Sequence, residues 1–399
     1  MSNRANGRRG ADDGIVIAGG GLAAQRCAET LRRCGGDGPI RIVAAEPHLP
    51  YDRPPLSKAL LSDGGGPPQL AFRDSEWYRA QGIELLRGVQ ARRLLGAQRR
   101  LETSAGTLRY SRLLIATGGR PRALDLLSGC DGVLTLRSVD DALALRERLV
   151  PGLRLAIIGA GFIGLELAAS ARALGTEVTV IEAAAAPLAG VLGERIGKWF
   201  QTLHREHGVT MLSGRTLARV QAATPAGRGG CELRLSDGTS VVADQIVVAV
   251  GTVPDVEWLV DSGVQIDGGV CVDRCGRSSL PDVFAAGDAA ATLDPQSGRH
   301  LPGSHWEAAA RQATAAARLM LGLDAPAPQP ASFWTDQYGL RIQYVGRARP
   351  GDSLTLDGEP REHNFTATYT RSGRVTAVLL VDRPRQLPAA RALLQKGQP

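Results

Sequence analysis

The sequence predicts an α/β chain built from two Rossmann-like domains, with a small α+β domain toward the C-terminal end. Three observations carry that prediction. A strand–glycine turn–helix–strand–acid unit occurs twice; two further apolar strands run into glycine turns; and a proline-rich spacer precedes a stretch of alternating apolar and polar residues. The 399 residues exceed what one compact core usually supports, so two or three domains are expected, and a hydrophobic fraction of 43% is ample to fill them.

The repeated unit reads GIVIAGGGLAAQRCAETLRR from Gly14 and RLAIIGAGFIGLELAASARAL from Arg154. Each is followed by an apolar strand that closes on an acid, Glu46 in IRIVAAE and Glu182 in EVTVIE. A lone Gly-x-Gly-x-x-Gly says little, but the whole context, present twice, is specific. Gly19 and Gly159 allow the tight turn, Gly21 and Gly161 let backbone N–H groups approach a pyrophosphate, and Ala24 and Gly164 keep each helix close to its strand. The positive end of each helix dipole then faces the phosphates. Glu46 and Glu182 stand where a carboxylate accepts hydrogen bonds from ribose hydroxyls. Two dinucleotides are therefore expected.

Glu182 also discriminates. A 2′-phosphate beside it would meet like charge, costing roughly 4 kcal/mol per charge pair at an effective dielectric near 20. Ala183 to Ala186 follow it with no nearby arginine, so NADH is favoured over NADPH. DQIVVAVGTVPD (Asp244 to Asp255) reads as a buried strand leading to a turn, and PDVFAAGDAAA (Pro281 to Ala291) as a strand entering a glycine turn at Gly287. Asp288, next to that turn, is placed to accept a hydrogen bond from a polyol chain.

Composition narrows the function classes. No run of about 18 apolar residues occurs, so no membrane span is expected. Met1 to Asp13 reads as a floppy tail; Arg8-Arg9 imitates an export signal, but the apolar stretch behind it is short and runs into the glycine turn. The net charge of +7 suits either an acidic partner or a basic protein with no charged partner, whereas scattered Lys and Arg with 4% aromatics disfavour nucleic acid. The six cysteines form no Cys-x-x-Cys, and Cys271 and Cys275 read as reduced structural thiols on a strand and turn. His204 and His207 have a metal-compatible spacing but no further ligand, and are expected to be exposed helix residues; no metal site is expected.

With these motifs stand EPHLPYDRPPLSK (Glu46 to Lys58), LLIATGGRPR (Leu113 to Arg122), FAAGDAA and FWTDQYGLRIQYVGRA (Phe333 to Ala348). From Gly14 onward the chain resembles the FAD-dependent pyridine-nucleotide reductases, specifically the ferredoxin reductases of Rieske dioxygenases and bacterial cytochromes P450. The resemblance implies a glutathione-reductase-like fold: an FAD-binding domain over 14–117 and 251–324, an NADH-binding domain over 118–250, and a C-terminal reductase domain over 331–399. The last follows the spacer Ala325 to Pro330, readable independently as stiff and extended, and its alternation over Asn364 to Tyr369 and Arg374 to Val381 predicts a sheet.

The resemblance also implies roles. Ala23 and Glu46 would meet the ADP half of FAD, with the Ala91 backbone near the adenine; Arg53, Lys58 and Arg137 would hold the flavin side, and Asp288 the ribityl chain. Trp306 would lie at the pyrimidine edge, Thr117 and Gly118 would line a cofactor site, and Gly251 the nicotinamide pocket. Glu166 would pair with Lys58, which stabilises charge on reduced flavin. The segment Asp52 to Asp63 lacks the cysteine that disulfide reductases of this fold need, so electrons are expected to leave singly to a [2Fe–2S] ferredoxin, with Trp334 mediating transfer or docking, or anchoring the third domain.

Departures from the family pattern are Ser304 where Glu is common, Ala186 and Gly190 where arginines follow the acid, and Asp255 for Asn. SHWE still reads as a capping box, with Ser304 as N-cap and Glu307 three residues on. The expectation is a cytoplasmic NADH:ferredoxin reductase, monomer or homodimer. A rubredoxin reductase or NADH oxidase is the alternative within enzymes, and an NADH-sensing interaction protein like apoptosis-inducing factor the alternative outside them.

Overall fold

The computed structural model describes residues 13–62, 66–128, 130, 132–222, 230–294, 298–303, 305–327 and 329–396. They fall into two compact units. The first lies within Met1–Asp52, Pro67–Arg120 and Val253–Pro328, and the second within Arg53–Gly66, Pro121–Thr252 and Gln329–Pro399.

The first unit is organised by a five-stranded parallel sheet. Its strands run Val283–Ala285, Arg112–Ile115, Ile15–Ala18, Ile40–Ala44 and Ile83–Arg87, and the out-of-sequence order marks crossovers on both sides of the Ile15 strand. Because strand side chains alternate, Ile17, Ile42 and Leu114 face one way, beneath helices Leu22–Arg33 and Trp306–Met320. Those helices present Ala24, Ala28, Ala313, Ala316 and Ala317, small enough for close packing. Val16, Val43, Leu113 and Ile115 face the other way, against Leu94 and Leu101 of a three-stranded antiparallel sheet. Each such Leu or Ile removed from water contributes roughly 1.5–3 kcal/mol.

The second unit repeats this plan. Its parallel sheet runs Thr210–Ser213, Glu177–Glu182, Arg154–Ile158, Gln245–Val248 and Val133–Thr135. Helix Phe162–Ala173 buries Leu165, Leu167, Ala168 and Ala171, while Ala156, Ile158 and Ile246 pack with Leu233 and Leu235 of an antiparallel sheet. The same unit contains a five-stranded antiparallel sheet ordered Ser332–Gln337, Leu340–Gly346, Arg374–Val381, Asn364–Arg371 and Ser353–Glu359, with helix Leu387–Lys396 against it. This is the sheet expected from the C-terminal alternation. Trp199 and Tyr369 bind it to helix Ala189–Glu206: Trp199 Nε1 donates to the Pro360 carbonyl at 3.0 Å, and Tyr369 Oη to the Leu192 carbonyl at 2.7 Å.

One helix start differs from expectation. Ser304 lies outside the described residues, and the helix begins at Trp306 with His305 as its N-cap and no side-chain capping bond. Residues 1–12 of the expected tail also lie outside them, whereas Asp13 pairs with Arg109 at 3.1 Å. Among the described residues no helix is long and apolar enough to cross a membrane.

Candidate active site

The first glycine turn is shaped by backbone crowding. Gly19 has φ +130°, and a Cβ there would stand 2.0 Å from the Ala116 carbonyl oxygen. Gly21 is the N-cap of helix Leu22–Arg33, with no side-chain cap, no acid in the first turn, and open space where its Cβ would be. That leaves the helix N–H groups to a phosphate, so a dinucleotide fits this cradle. Ala23 and Ala24 are buried beneath it, and the Ala23 methyl is 3.5 Å from where a Gly287 Cβ would lie, bringing the Gly287–Ala289 turn with Asp288 to the helix start. Glu46 Oε2 accepts from Tyr51 Oη at 2.6 Å. Val89 N–H donates to the Ala44 carbonyl at 3.0 Å, setting the strand that begins at Ala91 beside this edge.

Elsewhere in this unit Thr117 Oγ1 donates to the Asp255 carbonyl at 2.6 Å, and Asp255 N–H to the carbonyl of Gly118, whose φ is +75°. Burial pushes the Asp255 carboxyl above the ordinary range. Trp306 Nε1 donates to Asp52 Oδ1 at 2.7 Å, with the Arg26 guanidinium carbon 5.8 Å from its ring centre.

The second turn, in the second unit, follows the same rules. Gly159 has φ +106° and would place a Cβ 2.6 Å from the Ala249 carbonyl oxygen; a Cβ on Gly164 would stand 2.2 Å from the Gly159 carbonyl oxygen. Gly161 is again an uncapped N-cap with open space before it, so this cradle too fits a pyrophosphate. Glu182 is held at both oxygens: Ala160 N–H donates to Oε2 at 2.6 Å and Ala184 N–H to Oε1 at 2.7 Å. Gly251, φ +93°, accepts from Arg122 N–H at 3.0 Å.

An arginine from outside the local sequence reaches the Glu182 backbone. Arg215 donates its backbone N–H to the Glu182 carbonyl at 3.0 Å, and its guanidinium meets Asp237 at 2.5 Å. It follows strand Thr210–Ser213, which pairs with the Glu182 strand, so the sheet delivers a residue that the local sequence hides. Ala186, where the family pattern has arginine, is fully buried, and a Cβ on Gly197 of helix Ala189–Glu206 would lie 2.9 Å from its methyl.

Lys58 and Glu166 meet as expected, with Nζ 2.6 Å from Oε2. Ser57 Oγ donates to the same oxygen at 2.5 Å, and Thr335 Oγ1 donates to Oε1 at 2.6 Å, so the buried carboxylate is satisfied on both sides. Arg53 donates to the Arg137 carbonyl, bringing those two together. Trp334 lies on the opposite face of strand Ser332–Gln337 from Thr335, half-buried, with the Arg341 guanidinium carbon 5.5 Å from its ring centre. Thr335 and Gln337 escaped the sequence reading, although polar residues two apart on an otherwise buried strand face are a usable signal.

A correction concerns the histidine pair. His207 is exposed, but His204 is fully buried, with Nε2 2.9 Å from Gln337 Oε1 and Nδ1 2.8 Å from Tyr338 Oη. Burial pulls its pKa down to about 4. No cluster of metal-ligating side chains and no disulfide occurs among the described residues.

The model of the pyridine nucleotide-disulphide oxidoreductase family matches residues 13–315, and that of the reductase C-terminal region matches 332–399. The anthranilate 1,2-dioxygenase system ferredoxin–NAD(+) reductase component of Burkholderia cepacia is 40% identical over 391 residues, covering 96% of this chain and 95% of the relative. Putidaredoxin reductase of Pseudomonas putida is 33% identical over 395 residues, covering 98% and 93%. Among solved structures, the covalent putidaredoxin reductase–putidaredoxin complex superposes with a TM-score of 0.91 at 32% identity, covering 96% of this chain and 93% of that one.

Proposed function

The chain belongs to the pyridine nucleotide-disulphide oxidoreductase family, and within it we propose an NADH:ferredoxin reductase whose partner is a small [2Fe–2S] ferredoxin of a Rieske oxygenase or a cytochrome P450 system. Bound FAD supplies the two-electron to one-electron conversion that such a reaction needs. The supporting observation is Lys58, on the cysteine-free segment Asp52 to Asp63 and paired with Glu166: it offers a cation for charge on reduced flavin where a disulfide reductase would need a thiol.

Division of labour follows. Residues 14–117 and 251–324 take FAD: Gly19 and Gly21 cradle its pyrophosphate above Ala23 and Ala24, Glu46 its adenosine ribose near the Ala91 backbone, and Asp288 beside Gly287 its ribityl chain. In the first unit Thr117, Gly118 and Trp306 serve the flavin side; Arg53 and Arg137, which meet in the second unit, are assigned to flavin by family resemblance. Residues 118–250 take NADH through Gly159, Gly161, Gly164 and Glu182, with Gly251 at the nicotinamide. Residues 331–399 form the third domain, where Trp334 serves docking or electron exit. Lys58 stabilises developing negative charge and Glu166 orients it, a form of preorganised electrostatics. We place the protein in the cytoplasm, where NADH is available.

The test is a visible spectrum of the purified protein, then NADH titration and ferredoxin reduction. Flavin bands bleached by one equivalent of NADH, with rapid reduction of a [2Fe–2S] ferredoxin, are expected. Bleaching accompanied by transfer to oxygen alone would overturn the assignment.

A further inference from the structure

Behind Glu166 the second unit buries a continuous run of hydrogen bonds that holding Lys58 does not by itself require. Thr335 Oγ1 lies 2.6 Å from Glu166 Oε1, and Gln337 Nε2 lies 3.0 Å from Thr335 Oγ1. His204 Nε2 is 2.9 Å from Gln337 Oε1, and Tyr338 Oη is 2.8 Å from His204 Nδ1. Thr335 and His204 are fully buried and Gln337 is 2% exposed.

Chemistry sets the direction of every bond. An ionised Glu166 beside Lys58 only accepts, so the Thr335 hydroxyl donates to it and has lone pairs left for the Gln337 amide. A Gln337 whose NH2 faces Thr335 turns its carbonyl to His204, which must carry its proton on Nε2. Nδ1 is then bare and accepts from the Tyr338 hydroxyl. His204 suits this part because burial holds it neutral well below pH 7. Every donor points toward the carboxylate, and hydrogen bonds in such a head-to-tail chain polarise and strengthen one another.

We propose that Thr335, Gln337 and His204 are positioning residues: through this chain they hold Glu166 and draw its charge away from Lys58, raising the potential at which bound flavin is reduced. The inference rests on the reading of Lys58 as the cation on the flavin side. Lys58 and Ser57 share Oε2, whereas the chain is on Oε1. Without the chain the negative charge concentrates on the oxygen facing Lys58 and cancels more of its field. Reduced flavin is then less stabilised. An apolar residue in place of His204 would fill the same space without its desolvation cost, so packing alone does not account for a buried imidazole with both nitrogens engaged.

Composition makes the test clean. The chain holds three lysines, Lys58, Lys198 and Lys396, so lysine labelled with 15N at Nζ gives at most three ammonium signals in the holoenzyme. Thr335→Val and His204→Phe should each move the Lys58 signal and leave the other two in place. Both should make the flavin midpoint potential more negative and slow hydride transfer about tenfold, as for one lost hydrogen bond to a charge, at unchanged KM for NADH. Thr335→Ser keeps the donor and should restore all three readouts. A His204→Phe protein with wild-type Lys58 signal and potential overturns the proposal. If that variant does not fold, Tyr338→Phe removes a single hydroxyl from the chain; a smaller shift of the same sign supports the proposal, and an unmoved signal and potential overturn it. Flavin that NADH does not bleach would defeat the functional reading alone, since the Lys58 signal still reports on the chain.

Discussion

Arg215 donates its backbone N–H to the Glu182 carbonyl at 3.0 Å while Asp237 holds its guanidinium at 2.5 Å. An arginine thus reaches the Glu182 backbone from another strand, with its side chain held by Asp237. Asp237 is exposed to solvent, so water screens the pair and holds Arg215 only weakly. Asp237→Ala should release Arg215 and raise kcat/KM for NADPH about fivefold, leaving that for NADH unchanged. Combined with Glu182→Ala, which removes the repelling carboxylate, the gain should exceed the product of the single effects. Steady-state kinetics with both nucleotides checks this; additive effects would show that Arg215 does not reach the phosphate.

Lys58 and Glu166 stand 2.6 Å apart, and the role proposed for Lys58 is to stabilise charge on reduced flavin. Lys58→Met should retain FAD and slow its reduction by NADH roughly 10²-fold, the scale of losing one preorganised charge-stabilising group. Stopped-flow absorbance measures that step directly.

Gly159 tests the second turn. Its φ of +106° and the 2.6 Å approach of the Ala249 carbonyl oxygen leave no room for a methyl group. Gly159→Ala should cost about 1–3 kcal/mol from backbone strain alone, lowering Tm by several degrees, and should weaken NADH binding while FAD binding persists. Calorimetry and separate titrations of the two cofactors distinguish these effects.

His204 predicts an acid-sensitive fold. Its pKa is lowered from 6.5 to about 4 by burial, so below pH 6.5 the unfolded chain takes up a proton that the native protein refuses. Stability should fall as pH drops from 6.5 toward 4, by up to about 3 kcal/mol from this residue, and the loss should level off below pH 4. Urea unfolding at pH 7 and pH 4.5 reads it, and His204→Gln should lack that component.

Asp255 has the opposite linkage. Burial raises its pKa, so keeping it ionised at neutral pH costs folding free energy, and the cost vanishes once the carboxyl is protonated in both states. Asp255→Asn should raise Tm slightly at pH 7, and the gain should disappear below about pH 3.8.

Both glycine turns, their helices and the terminal acids were legible in the sequence because they are local: strand, turn, helix and acid lie within a few dozen residues and each residue type answers a nearby steric demand. The Lys58–Glu166 pair, 2.6 Å apart, was reached only through resemblance, since periodicity says nothing about two residues so far apart in the chain. Arg215, Thr335 and Gln337 were missed, and His204 was read as exposed, for the same reason. Their partners come from other elements: Arg215 arrives through strand pairing, and His204 is covered by Gln337 and Tyr338 of the C-terminal sheet. Amphipathic spacing identifies a helix face, not what will cover it.

Strand Ser332–Gln337 gives each face its own task, with Thr335 turned to Glu166 and Trp334 turned away under Arg341. The turn at Tyr338–Gly339 locks its pairing to Leu340–Gly346. Deleting one residue from that turn would rotate the strand by half a period, setting an indole against a carboxylate and a hydroxyl toward the outside. Insertions and deletions here should therefore be far less tolerated than point substitutions on either face.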